Sequence, residues 1–171
     1  MNRLTRAQAA LERAATGDSG WRGAAVGAAE WLAQHSVALL RLSLGLVFFA
    51  FGVLKFVPGL SPAAGLAGDT FSELTLGVVP PDVGVVAVAA LETAIGLSLL
   101  TGRLLRLGLA LLGVAMVGIL SPLVLLPEAL FRGALYAPTL TGQYVLKDVV
   151  LLAAAVAVAT SVFGRRPLSP Q

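Results

Sequence analysis

The chain has 171 residues, of which 57% are hydrophobic and only 12% charged, with a formal net charge of +3. That balance excludes an ordinary water-soluble globular domain. It has no cysteine and a single histidine, His35, which excludes disulfides, thiolate metal sites, iron–sulfur clusters and a bis-histidine haem held within one chain.

Residues 1–35 form a basic extension. The first compact apolar run begins only near Val37, after arginines mixed with Glu12, Asp18 and Glu30. This is unlike a cleavable signal peptide, so the whole chain is expected to persist. Thr16-Gly17-Asp18 predicts a helix stop at Gly17 and a new start beyond Asp18 or Ser19, with residues 1–16 open to a loosely ordered alternative. Beyond the break, Trp21, Ala24, Ala25, Ala28, Trp31 and Leu32 recur at helical spacing. The apolar face they form suits a helix lying in the inner headgroup layer. The arginines are sparse and interleaved with alanine, so no nucleic-acid partner is expected.

Four continuous apolar runs follow, at about 37–57, 83–100, 107–126 and 144–163. Each is close to the ~20 residues a helix needs to cross about 30 Å of hydrocarbon. Their continuity and Leu/Ala content oppose a β-barrel. Between the first two runs, Ala63, Leu66, Ala67, Thr70, Phe71, Leu74 and Val78 repeat at helical intervals between prolines and predict a short amphipathic helix on the outer surface. Pro122, inside the third run, is expected to kink that helix or end its regular part. Phe131, Tyr136 and Tyr144 suit an outer aromatic belt. Residues 36–163 are thus expected to form the transmembrane domain and 164–171 a tail.

The predicted fold is an all-α membrane protein: a four-transmembrane-helix bundle with a short outer amphipathic helix and an N-terminal cytoplasmic helical extension. Arg3, Arg6, Arg13, Arg22, Arg103, Arg106, Arg165 and Arg166 fall on one side of four crossings, and only Arg132 falls between spans on the other. By the positive-inside rule both termini are expected in the cytoplasm.

The charges within the spans are the candidate functional residues. Arg41, Gly45, Phe48, Gly52 and Lys55 form one stripe along the first span. Its glycines allow close approach of another helix, so the stripe is expected to face protein and not lipid. Glu92 lies about midway along the second span, flanked on its own face by Ala89 and Gly96. Lys147 and Asp148 are adjacent, project about 100° apart on a helix, and therefore each need a separate partner. Depth suggests Lys55 with Asp148, and either Arg41 or Lys147 with Glu92, unless Arg41 snorkels to the inner surface. Three cations against two carboxylates leave one positive charge over, available to an anionic or polar head group or simply solvated. Three readings stay open: a polar pocket, a set of pairs that fixes helix order, and wetted span edges. No nucleophile–base pair or metal-ligand cluster stands out, so catalysis by this chain alone is not expected.

The segments "RLSLGLVFFAFGVLKF" (Arg41 to Phe56), "LETAIGLSLLTGR" (Leu91 to Arg103) and "LTGQYVLKDVVLLAAA" (Leu140 to Ala155) resemble the first, second and fourth helices of DoxX-like small membrane proteins. The resemblance implies a four-helix bundle in the bacterial cytoplasmic membrane, associated with redox or oxidative-stress assemblies. It also implies a partner redox subunit and a quinone as the cofactor to consider, with no intrinsic cofactor. A homo-oligomer, a small-solute or ion transporter using the charged pocket, and a ligand-free membrane scaffold remain alternatives.

Overall fold

The computed structural model describes residues 3–133 and 137–164, with side chains from residue 21 onward. The chain divides into two compact units, Met1–Ser36 and Val37–Gln171. Helix α1 is Arg3–Lys55, so the stop expected at Thr16-Gly17-Asp18 does not occur. One interior glycine costs about 1 kcal/mol relative to alanine, and with no proline beside it the flanking helix formers carry the backbone through. In the first unit Trp21, Val26, Trp31 and Leu32 are exposed. The His35 ring stacks on Trp31 with centroids 4.5 Å apart, and its Nδ1 lies 2.8 Å from the Trp31 carbonyl it donates to.

The second unit contains the rest of the fold. After α1 come α2 (Ala64–Leu74), α3 (Pro81–Thr101), α4 (Leu105–Leu120), α5 (Pro122–Leu125) and α6 (Pro127–Leu130). The two-residue strands β1 (Phe131–Arg132) and β2 (Ala137–Pro138) pair antiparallel before α7 (Leu140–Phe163). Four helical segments are long and apolar enough to cross a membrane: Trp21–Lys55, Pro81–Thr101, Leu105–Leu125 and Leu140–Phe163. The protein is therefore an all-α membrane protein in contact with lipid. Leu46, Val114, Val117 and Val150 are among the exposed apolar side chains these helices present to it. Tyr136, Arg165 and Arg166 lie outside the described residues, as does the tail beyond Gly164.

Local sequence explains the helix ends. Pro81 occupies the first turn of α3, where its missing N–H would have no helical partner. Gly102 ends α3 in the left-handed region at φ 70° and donates its N–H to the Ser98 carbonyl. Ser98 Oγ reaches across the following turn to the Arg103 carbonyl at 2.8 Å, and Gly108 of α4 packs against that hydroxyl. Pro122 does break the third span, since α4 ends at Leu120 and α5 begins at the proline. Helix α7 starts at Leu140 because the Thr139 side chain caps it, accepting from the Gly142 N–H at 3.0 Å. The polar turn Leu140–Gln143 therefore extends the fourth span by one turn beyond its apolar run.

Between lipid-exposed helices, apolar burial supplies little drive, and close packing of small residues takes over. Helix α2 docks on α3 through reciprocal glycines: Gly68 lies against the Pro81 carbonyl and Val85, and Gly84 against the Phe71 ring. Within the bundle α3 packs on α4 and α4 on α7. The shared core is built from Leu44 and Phe48 of α1, Ile95 and Leu99 of α3, Leu112 and Met116 of α4 and Val158 of α7.

Candidate functional site

Glycine positions bring α1 and α3 together. At Gly45 an added Cβ would stand 3.0 Å from Leu99 and Leu100. At Gly52 it would stand 2.6 Å from the Thr93 backbone nitrogen and 3.0 Å from the Glu92 Cβ, and at Gly96 it would run into the Phe49 backbone. Ala89, one turn before Glu92, is fully buried. Of the small residues read from the sequence, Gly45, Gly52 and Gly96 therefore lie in this contact.

That approach sets the level of the charged groups. Gly52 abuts the root of the Glu92 side chain, and Lys55 stands one turn further along α1. The Lys55 ammonium donates to Glu92 Oε2 at 2.6 Å, and the two side chains are only 5% and 8% exposed. Lys55 thus pairs with Glu92, where depth alone had suggested Asp148. Beside the pair, the Thr93 hydroxyl is buried without a hydrogen-bond partner among the described residues. Spacing did not single out Thr93. Its position next to Glu92, facing a glycine of the neighbouring helix, was the available signal.

The other candidates separate from this pair. Arg41 does not reach Glu92. Its guanidinium lies against Gly102, with Nη1 2.7 Å from where a side chain there would begin. Gly102 is about 15 Å along α3 from Glu92 at 1.5 Å per residue, at the helix end where carbonyls favour a cation. Lys147 is exposed and its ammonium lies over the Tyr144 ring, 5.5 Å from the centroid. Asp148 is half-buried on α7. Among the described residues it makes no salt bridge.

The structure therefore regroups the span charges. The count of five gave one surplus positive, but Arg41 and Lys147 belong to other surroundings. Lys55 and Glu92 remain as one buried pair whose charges cancel, while Asp148 stands half-buried on α7. Among the described residues no group of three His, Asp or Glu side chains is placed to hold a metal ion.

A polytopic helical bundle with a glycine-lined α1–α3 contact and a buried lysine–glutamate pair defines the class of the protein. The family model for DoxX matches residues 36–125, and the chain belongs to the DoxX family. The matched interval holds Arg41, Lys55 and Glu92, and ends before Lys147 and Asp148. No curated protein and no solved structure matches the chain.

Proposed function

We propose that this DoxX-family membrane protein is a subunit or anchor of a redox or oxidative-stress assembly, associated with quinone, whose chemistry is supplied by a partner. The buried Lys55–Glu92 pair is the observation that carries the reading. It is a compact polar constellation within an apolar bundle, offering both donors and acceptors to a small polar head group. The chain brings no cysteine, and its one histidine stacks on Trp31 outside the pair, so electron carriers would belong to a partner. The arginine distribution supports a bacterial cytoplasmic membrane orientation with both termini inside. Residues 1–35, with exposed Trp21 and Trp31, would then serve as a cytoplasmic docking or headgroup-layer segment.

A transmembrane polar path is less well supported. Between Arg41 and Lys55 on α1 the buried residues are Leu44, Gly45, Phe48 and Gly52, and this apolar layer interrupts the charged stripe.

The test is gentle purification of the full chain from its source membrane, with bound lipids and proteins identified by mass spectrometry. The expected result is quinone or a redox-enzyme subunit at a fixed ratio to the chain, with quinone lost in Lys55→Met. Recovery of neither would remove the reading. If the quinone is absent but deleting residues 1–33 abolishes partner capture, the chain is a scaffold.

A further inference from the structure

We propose that Arg41, Arg103 and Arg106 form a binding site for the phosphate of an anionic phospholipid at the α3–α4 end of the bundle. The inference stands apart from the proposed function, since neither the Lys55–Glu92 pair nor a redox partner enters it.

Gly102 brings the three arginines to one place. With φ 70° it ends α3 in a conformation that favours glycine. The Arg41 guanidinium occupies the space that a side chain there would fill, with Nη1 2.7 Å from the Cβ position. Arg103 is the next residue. The Ser98 hydroxyl donates to the Arg103 and Leu104 carbonyls at 2.8 and 3.2 Å, which holds the turn against α3 and sets Arg106 in the first turn of α4.

These cations have no counter-charge from the second unit. Among the described residues none of the three makes a salt bridge, and half-buried Arg41 donates no hydrogen bond. Asp82 stands at the opposite end of α3, about 30 Å from Gly102 at 1.5 Å per residue. Asp69 and Glu73 are on α2, which docks at that opposite end. Glu128 is on α6, beyond the far end of α4, and Asp148 lies in the half of α7 that starts beside α6. Glu92 is committed to Lys55. Three positive charges gathered without a carboxylate favour an anion, and the forked donors of guanidinium match phosphate oxygens.

The surroundings make that anion a lipid. The arginines stand where the second span ends at Thr101 and the third begins at Leu105, the level at which lipid phosphates lie. Along the turn, Arg103 and Arg106 alternate with Leu104 and Leu107, which are 75% and 54% exposed. Leu97 is exposed further along α3 toward the middle of the span. A soluble anion has no use for this apolar surface. A phospholipid places its phosphate at the arginines and its acyl chains along the leucines, as basic pockets between spanning helices do for anionic head groups.

The experiment titrates the full chain in detergent with phosphatidylglycerol or phosphatidylcholine and counts bound lipid by native mass spectrometry. The expected result is one phosphatidylglycerol retained per wild-type chain at concentrations where phosphatidylcholine is not. Arg41→Gln should weaken that retention by about fivefold or more, the effect of one basic residue at an anionic surface. The Arg103→Gln/Arg106→Gln double variant should weaken it at least as much, and its exposed positions keep the test valid where Arg41→Gln does not fold. Arg132→Gln, exposed on β1, removes the same charge elsewhere and should bind as the wild type does. Equal retention of the two lipids by the wild type, undiminished binding in the double variant, or an equal loss in Arg132→Gln overturns the proposal. Displacement of the phosphatidylglycerol by an equal concentration of inorganic phosphate would show a soluble-anion site and overturn it as well. Quinone and partner content do not enter the readout, so this site and the redox assignment fail separately.

Discussion

Lys55 and Glu92, 37 residues apart in the chain, meet at 2.6 Å because Gly52 lets α1 settle against the base of the Glu92 side chain. The pair and the close approach are one structural feature. Removing either charge leaves the other buried without compensation, which costs about 3–5 kcal/mol, whereas replacing both with apolar groups of similar size is near neutral or stabilising. Lys55→Met and Glu92→Leu should each lower the unfolding midpoint in detergent, and the double variant should recover most of the loss. Additive losses in the double variant would show that the two side chains do not act as a pair.

The glycines predict a contrast. A methyl at Gly96 runs into the Phe49 backbone, which cannot rotate away, while a methyl at Gly113 of α4 meets nothing within 4 Å. Gly96→Ala should destabilise by about 1–3 kcal/mol through overpacking. Gly113→Ala should be neutral or stabilising, by up to about 1 kcal/mol from helix propensity. Equal effects in a denaturant titration would contradict the assigned α1–α3 contact.

These two cases show where the sequence was informative. Span number and approximate limits follow from the length of apolar runs, because a helix crossing lipid must satisfy its own backbone. The inward face of α1 was legible in Gly45 and Gly52, and that of α3 in Ala89 and Gly96, since small residues mark close approach. The partner of Lys55 was not legible. A flexible lysine reaches up or down by about a helical turn, and the register between antiparallel helices depends on where each begins. Helix α7 begins at Thr139-capped Leu140, a turn before its apolar run, which shifts any depth estimate for Asp148. Likewise the Gly17 break failed because local propensity is weak against a continuing helix.

Ser121 and Pro122 form a compensating pair. Proline has no N–H, so it cannot donate to the carbonyl four residues back, that of Gly118. The Ser121 hydroxyl donates to that carbonyl at 2.7 Å. Ser121→Ala should therefore cost about 1 kcal/mol, the net value of a typical hydrogen bond. Adding Pro122→Ala restores an amide donor to Gly118 and should return most of that stability. A double-mutant cycle on thermal unfolding with no coupling between the two changes would refute this account.

Thr139 fixes the start of α7 and with it the level of Asp148, about two and a half turns further along. Its hydroxyl accepts from the Gly142 N–H at 3.0 Å and donates to the Ala129 carbonyl at 2.9 Å, and its own N–H donates to Leu130 at 2.8 Å. Gly142 packs directly on the Leu130 carbonyl, so cap and α6 junction are one joint. Thr139→Ala should cost about 1 kcal/mol, and Thr139→Ser should preserve the joint. Hydrogen exchange should quicken at residues 140–143 in the alanine variant while the α7 segment around Ala155 and Val158, buried in the core, stays protected. Faster exchange along the whole of α7 would mean that the cap holds the helix in the bundle and not merely its first turn. In that case Asp148 owes its level to the joint and not to core packing.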